Sequence, residues 1–324
     1  METAKGRVEL LSDEIGRVVV GQRALVDGLL VALLCSGHAL VEGVPGLAKT
    51  TVIRTLAQAL GLGFGRIQFT PDLLPGDLVG TPVYVPNERS FVVRRGPIFA
   101  PVLLADEINR APAKVQSALL EAMEEGQVTI GEESFALPEP FFVMATQNPV
   151  ELEGTYPLPE AQIDRFLVKL VVPYPSEDDE REIVARDAGV PPDVRPVADA
   201  AALGEMKRAA AAVHVAPVVA DYAVRIVRAT RDPAATGMRL APPDATWARD
   251  CVALGASPRA SMYLVRAARA RAFLDGRDYA TPHDVKRVAM DVLRHRVVVT
   301  YEAEADGVRP EAVVEAVLAS VETP

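Results

Sequence analysis

The feature that most constrains the fold of this chain is a glycine-containing segment, residues 43–50, which reads GVPGLAKT. An apolar run, residues 38–42, precedes it, and a stretch of helical character, residues 51–60, follows it. A strand, a glycine loop and a helix in this order can bind phosphate, because the glycines let backbone N–H groups turn inward and the helix points its positive end at the same place. The segment therefore predicts an α/β core with a phosphate-binding loop.

The residues of this loop have separate expected roles. In the pattern G-x-x-x-x-G-K-[ST], the lysine, Lys49, reaches the β- and γ-phosphates and the hydroxyl of Thr50 binds Mg²⁺. Ala48 stands where the second glycine is usual. Because the methyl group of alanine restricts φ, we expect a right-handed backbone at this position. The candidate nucleotide-binding residues are Gly43, Val44, Pro45, Gly46, Leu47, Ala48, Lys49, Thr50 and Thr51.

A second signature is an apolar run, residues 102–105, that ends in Asp106 and Glu107. The run predicts a buried strand, and two adjacent carboxylates at its end need a reason because desolvated like charges repel each other. A hydrated Mg²⁺ at Asp106 supplies that reason, and Glu107 can then deprotonate the water that attacks the γ-phosphate. Two solvated acids at the end of a strand are the alternative.

Strand and helix patterns alternate along the first 175 residues or so, which indicates a mostly parallel sheet with helices on both faces. Ligands bind to such sheets at the carboxyl ends of the strands, where both the loop and Asp106 fall. The predicted strands cover residues 38–43, 64–70, 100–106, 141–147 and 166–172, and the predicted helices cover residues 25–35, 49–60 and 112–125.

Three further polar residues are candidates for the site. Asn148 follows the predicted strand 141–147. It can hold the attacking water if that strand lies between the strand before the phosphate-binding loop and the strand that ends at Asp106. The alternative is that Asn148 caps the turn before Pro149. Arg165 can reach a phosphate on an adjacent subunit as an arginine finger, although an arginine in such a turn usually forms a surface ion pair. Arg259 opens a later helix and can fold onto the phosphates, the alternative being a solvated helix residue.

The composition changes after residue 175, where the sequence becomes helical and rich in alanine. We therefore predict an α/β nucleotide-binding core at residues 1–175 and a smaller helical domain at residues 176–324, with a hinge near Pro175. Two segments interrupt the core pattern, at about residues 84–97 and 127–135, and both read as hairpins that can project toward a neighbour or a client protein.

Composition restricts the class of protein. The chain has 324 residues, of which 49% are hydrophobic, and a net charge of −10. This acidic balance argues against a dedicated nucleic-acid binder, which usually shows a basic excess. Cys35 and Cys251 lie in apolar or helical stretches and are expected to be reduced core residues of a cytoplasmic protein. No apolar run approaches the length of a membrane span, and the first 16 residues lack a signal sequence.

Taken together, these motifs resemble those of the MoxR family of AAA+ ATPases, in which a P-loop core is followed by a smaller all-α lid domain. The resemblance extends over about residues 12–310, and alanine is usual in this family at the position of Ala48. The motifs that carry it are GVPGLAKT at 43–50, DEINRA at 106–111, ATQNP at 145–149, EAQIDRF at 160–166 and GASPRA at 255–260.

The resemblance implies a role for each matching residue. Lys49 and Thr50 correspond to the Walker A lysine and Mg²⁺ ligand, and Val20 lies in a segment that resembles the lining of the adenine pocket. Arg110 is a second candidate for the arginine finger, and a local ion pair explains it equally well. The remaining assignments are the Walker B metal acid and catalytic base for Asp106 and Glu107, sensor 1 for Asn148, the arginine finger for Arg165 and sensor 2 for Arg259.

For the whole chain, the resemblance implies Mg²⁺-dependent hydrolysis of ATP to ADP at the subunit interfaces of a homo-oligomeric ring, expected to be a hexamer. It further implies chaperone-like remodelling of client proteins together with a separate partner that carries a von Willebrand factor A domain. Three other functions stay open at this point: a metal-chelatase motor subunit, a nucleic-acid-dependent motor, and a nucleotide-gated scaffold that does not hydrolyse ATP.

Overall fold

The computed structural model describes residues 2–150, 154–187, 192–232 and 251–324. They form two compact units: one comprises Met1–Phe166 and Leu170–Met206, and the other comprises Leu167–Lys169 and Lys207–Pro324. Within the described residues, no helix is long and apolar enough to cross a membrane.

The first unit continues well beyond residue 175 because the chain that follows packs back onto it. The Arg186 guanidinium donates to the Arg17 carbonyl at 2.7 Å, and the Val197 N–H donates to the Ala59 carbonyl at 2.8 Å. The domain limit at residue 175 stays a prediction, and the compact unit around the sheet extends to Met206.

A five-stranded sheet forms the centre of the nucleotide-binding core. Its strands are β1 (Ala39–Glu42), β2 (Phe64–Gln68), β5 (Val102–Asp106), β8 (Phe142–Gln147) and β9 (Val168–Val171), and the hairpin strands are β3 (Gly80–Val85), β4 (Ser90–Arg95), β6 (Gln127–Ile130) and β7 (Glu133–Ala136). The strand order in the sheet is β2-β5-β8-β1-β9. The pairs β2–β5, β5–β8 and β8–β1 are parallel, which confirms the predicted parallel sheet.

Continuous apolar runs produce the central strands. The first four residues of β5 and the first five of β8 are buried, which is typical of parallel strands that are covered on both faces. Polar residues begin where these strands end, so they collect at one edge of the sheet. β8 lies between β1 and β5, which is the arrangement that brings Asn148 toward the phosphate-binding loop.

Helices of the core bury apolar stripes with helical spacing. α1 spans Glu2–Gly16, α2 spans Arg23–Leu34, and α3, which follows the loop, spans Lys49–Ala59. α4 is a single turn, Pro75–Val79, and α5 spans Ala113–Glu125. The structure therefore confirms the three predicted helices, with ends that differ by one or two residues. The chain continues through α6 (Glu160–Ile163), α7 (Glu177–Asp187) and α8 (Ala200–Ala211).

Both predicted hairpins are present. β3 pairs with β4 and β6 pairs with β7, in each case antiparallel. The first hairpin begins at Gly80, earlier than the predicted residue 84, because the residues from Gly80 to Val85 already pair with the returning strand. The Tyr84 and Phe91 rings lie opposite each other on this hairpin with centroids 5.3 Å apart, and both side chains are exposed.

The second unit is mainly helical, as predicted. Its long helices pack around a core that includes the fully buried side chains of Tyr222 and Phe273. At the start of one helix, the Thr281 hydroxyl and the Asp284 carboxylate form a capping box, which satisfies N–H groups that the helix itself cannot pair. The helices are α9 (Pro217–Arg231) and the segments Pro258–Leu274, Pro282–Leu293, Tyr301–Ala305 and Pro310–Ser320, with a short antiparallel pair formed by Val252–Leu254 and Val298–Val299.

Candidate nucleotide-binding site

A cleft of about 380 Å³ opens at the carboxyl edge of the sheet. The phosphate-binding loop forms one side, and the ends of β2, β5 and β8 form the other. The cleft brings together most of the predicted site and adds two residues of β2 that were not predicted. Its lining consists of Pro45, Gly46, Leu47, Ala48, Lys49, Thr50, Arg66, Gln68, Asp106, Glu107 and Asn148.

The phosphate-binding loop corrects one expectation about its backbone. Ala48 has φ +55° and ψ +16° and is therefore left-handed, so the prediction of a right-handed residue was wrong. α3 begins at the next residue, and the Ala48 carbonyl already accepts its hydrogen bond from the Val52 N–H at 3.0 Å. The loop must reverse its direction immediately before that helix, which requires the left-handed region at a cost of about 1–2 kcal/mol for a residue with a Cβ atom.

The Lys49 side chain points back into the loop. Its ammonium group donates a hydrogen bond to the Gly43 carbonyl at the start of the same loop. Burial lowers the pKa of Lys49, and the nearby carboxylates of Asp106, Glu107 and Glu42 oppose this shift by favouring the charged form. A phosphate in the loop would supply the full negative charge that a carbonyl oxygen lacks.

A buried threonine positions the two acids at the end of β5. The Thr146 hydroxyl donates to Asp106 Oδ1 at 2.6 Å and accepts from the Glu107 N–H at 2.9 Å. Thr146 lies in β8 and is completely buried, so its position is fixed by the core. Glu107 itself has φ +56°, which turns the chain sharply out of the strand. This role of Thr146 was not predicted from the sequence, although a hydroxyl near the end of a buried strand and close to Asn148 was a usable signal.

Removal of the Thr146 hydroxyl is expected to damage both folding and activity. A Thr146→Val variant keeps the side-chain volume but removes the hydrogen-bond partner of the Glu107 N–H and of Asp106 Oδ1, so it should lose about 1–3 kcal/mol of unfolding free energy. Its kcat for the ATP hydrolysis that the sequence predicts should fall as well. Chemical denaturation and steady-state kinetics measure the two effects. Thr146→Ser keeps the hydroxyl and should retain the rate; a Thr146→Val variant as stable and active as the wild type would contradict this role.

The edge strand β2 supplies further contacts to both acids. Arg66 Nη2 donates to Asp106 Oδ2 at 2.8 Å, and Gln68 Nε2 donates to Glu107 Oε2 at 2.7 Å. Arg110 Nη1 also donates to Glu107 Oε2, at 3.3 Å, which is the local ion pair considered from the sequence. The parallel register places Gln68 opposite Asp106. Sequence spacing could not reveal the contacts of Arg66 and Gln68, because β2 and β5 are far apart in the chain.

Asn148 makes the capping contact that its sequence context allowed, and it also lines the cleft. Its side-chain oxygen accepts a hydrogen bond from the Val150 N–H at 3.2 Å, which is the expected cap around Pro149. The residue is also buried, with 6% of its surface exposed, and it lines the cleft opposite the loop. The capping contact therefore holds the amide in a position from which it can face a bound phosphate.

Several predicted residues of the first unit do not line the cleft. Arg165 forms an ion pair with Glu124 at 3.0 Å. This contact is the surface ion pair that the sequence offered as the alternative to an arginine finger. Val20 is half-buried just before α2. Arg259 belongs to the second unit, in the helix Pro258–Leu274. The other predicted residues outside the lining, among those the structure describes, are Gly43, Val44 and Thr51.

The donor atoms in the cleft suit a magnesium ion carried by a nucleotide. Thr50 offers a hydroxyl and Asp106 a carboxylate, and Mg²⁺ prefers such oxygen ligands together with phosphate oxygens and water. Within the described ranges, no group of three or more His, Cys, Asp or Glu side chains could hold a metal ion. Beside the oxygens of Thr50 and Asp106, a metal at this site would take its remaining ligands from the nucleotide phosphates and water.

Comparison with known proteins agrees with this geometry. The chain matches the model for the ATPase family associated with various cellular activities (AAA) over residues 38–168 and the AAA lid domain over residues 244–317. These matches define the chain as an AAA ATPase with a lid domain.

Full-length relatives narrow the class further. The chain is 51% identical to Chaperone MoxR1 of Mycobacterium tuberculosis, over 96% of this chain and 81% of that protein. It is 32% identical to Protein MoxR of Paracoccus denitrificans, over 95% of this chain and 93% of that protein. A crystal structure from Cytophaga hutchinsonii, of a protein assigned as an ATPase, superposes with a TM-score of 0.92 at 44% identity and covers 99% of this chain and 96% of its own. The chain belongs to the MoxR family of AAA+ ATPases.

Proposed function

We propose that this ATPase hydrolyses Mg²⁺-bound ATP at the interfaces between subunits of a ring and uses the cycle to remodel client proteins. The observation that carries the chemistry is the cleft itself, in which the loop residues Lys49 and Thr50 face the acids Asp106 and Glu107. This arrangement combines phosphate binding, a metal position and a base in one place, which is what phosphoryl transfer to water requires.

Each side chain has a separate task in this proposal. Lys49 exchanges the Gly43 carbonyl for the β- and γ-phosphates. Thr50 and Asp106 would hold the metal, which would supply positive charge to the phosphates. Glu107 accepts a proton from the attacking water, and Asn148 orients that water. Thr146 keeps Asp106 and Glu107 in a fixed relation through its two hydrogen bonds.

The ring arrangement rests on Arg165, which does not line the cleft of its own subunit. Arg165 is proposed to act as an arginine finger toward the neighbouring subunit, leaving its ion pair with Glu124 when the ring assembles. Arg259 is proposed to act as sensor 2, and Val20 to contact the adenine. A hexamer is the proposed size, by analogy with the family.

Client remodelling is supported by the relative whose name describes a chaperone. A separate partner with a von Willebrand factor A domain and a cytoplasmic location complete the proposal. The metal-chelatase and nucleic-acid motors are the competing functions. The net charge of −10 disfavours the nucleic-acid motor, because binding to a phosphate backbone depends on basic residues.

A direct test is the rate of phosphate release from ATP, measured with and without Mg²⁺ over a range of protein concentrations. We expect the specific activity to depend on Mg²⁺ and to rise steeply with concentration as rings assemble. Lys49→Ala should abolish ATP binding and turnover, whereas Lys114→Ala, which removes an exposed lysine of α5, should change neither. A specific activity that is flat with concentration would contradict the interface site, and unchanged nucleotide affinity in Lys49→Ala would contradict the loop assignment.

A further inference from the structure

Arg66 is a cationic residue of the cleft that the proposed function does not use. It lies in the middle of β2, which is an edge strand of the sheet. Arg66 and Gln68 are two positions apart and therefore share one face of the strand. The guanidinium reaches the carboxyl edge of the sheet, where Nη2 lies 2.8 Å from Asp106 Oδ2 and 3.1 Å from Gln68 Oε1.

The two oxygens of Asp106 are held by partners of different character. Oδ1 accepts from the Thr146 hydroxyl, which is completely buried and has no room to leave. Oδ2 accepts from Arg66, whose side chain is 47% exposed. Oδ2 is therefore the oxygen whose partner can be exchanged, and it is also the oxygen that a metal ion could take.

We propose that Arg66 is a positioning residue that occupies Oδ2 of Asp106 until the Mg²⁺ of the nucleotide displaces it. This inference rests on the proposed function, because it assigns Asp106 to the metal. A guanidinium and a divalent cation beside the same carboxylate repel each other, so metal binding at Asp106 weakens the ion pair and favours its opening. The Gln68 side-chain oxygen offers Arg66 a second acceptor, which lets the guanidinium move without losing every polar contact.

The solvent exposure of Arg66 limits how much its ion pair with Asp106 can change the affinity for the metal. A half-exposed ion pair is weakened by solvent, and its loss changes a binding constant by at most about fivefold. The pair is thus strong enough to orient Asp106 in the absence of nucleotide and weak enough for a divalent cation to open. Removal of Arg66 should accordingly increase metal affinity by up to about fivefold.

Binding of Mn²⁺ in the presence of ADP tests this inference without any turnover. Free Mn²⁺ is followed by electron paramagnetic resonance for the full-length wild type and for Arg66→Gln, Arg66→Lys, Arg110→Gln and Arg54→Gln. We expect Arg66→Gln to bind Mn²⁺ several-fold more tightly and Arg66→Lys, which keeps the charge, to lie close to the wild type. Arg54 stacks over Phe64 with its guanidinium carbon 5.8 Å from the ring centroid and does not line the cleft, so Arg54→Gln should equal the wild type.

The Arg110→Gln variant separates direct competition from the general loss of positive charge. Arg110 forms its ion pair with Glu107, at 3.3 Å, so its removal should alter the Mn²⁺ affinity less than the removal of Arg66. Equal tightening in both variants, or an Arg66→Gln affinity at or below that of the wild type, would overturn the inference. If the wild type itself binds no Mn²⁺ with ADP, the proposed metal site fails and this inference fails with it. Thermal melting confirms that each variant is folded.

Discussion

Replacing Arg165 by alanine is expected to reduce kcat for ATP hydrolysis by about 10³–10⁵-fold, the range for an arginine finger. The physical reason is that the guanidinium of one subunit would neutralise the charge on the phosphates bound by the next, and the ring would lose this contribution at every interface. Steady-state phosphate release at a protein concentration that maintains assembly measures the effect.

The ion pair with Glu124 provides the matched control. If Arg165 only stabilises its own subunit through the 3.0 Å contact, Glu124→Gln should reduce the rate as much as Arg165→Ala does. We expect instead a rate within about threefold of the wild type, because an exposed ion pair contributes little to stability. Mixing Arg165→Ala with Lys49→Ala should restore part of the activity, since some interfaces then combine an intact loop with an intact finger. Absence of complementation would contradict action between subunits.

Replacing Glu107 by glutamine is expected to reduce kcat by about 10²–10⁴-fold while ATP still binds. Glutamine preserves the shape of the side chain and can still contact Gln68 and Arg110, but it cannot accept a proton from water at neutral pH. The variant should therefore retain ATP in the cleft. Single-turnover hydrolysis and the binding of a fluorescent ATP analogue separate the loss of chemistry from any loss of affinity.

A second acid provides the comparison for this prediction. Glu121 is exposed on α5, and Glu121→Gln makes the same chemical change away from the cleft. It should hydrolyse ATP at the wild-type rate. Turnover retained in Glu107→Gln would mean that another group accepts the proton, and the assignment of the base would have to change.

Much of the core fold could be predicted because its central strands β5 and β8 are nearly continuous apolar runs that end in polar residues. The run before Asp106 and the run before Asn148 each predicted a buried strand, and both are present as β5 and β8. The start of the first hairpin was harder to predict from the sequence. Gly80 and Pro82 are residues that favour turns over strands, so only the pairing of this segment with β4 reveals that it belongs to the hairpin.

The site was predictable where a single local motif supplies the functional side chains, as in the phosphate-binding loop and at Asp106 and Glu107. Arg66 and Gln68 were not, because in the sequence they look like the solvent-facing positions of an ordinary edge strand. Their contacts to the two acids arise only when β2 and β5 align in register. Ala48 shows the opposite error: its side chain predicted a right-handed backbone, but the geometry of the loop outweighed that local preference.

The order of the strands also determines when the core can form. β1, which leads into the phosphate-binding loop, has β8 and β9 as its neighbours in the sheet, and both come much later in the chain. Closing such long loops costs entropy before any strand pairing repays it, which slows folding. During synthesis on the ribosome, β1 therefore has no neighbouring strand to pair with until β8 has been synthesised. The nascent chain must keep the apolar residues of β1 and α2 from aggregating during that interval.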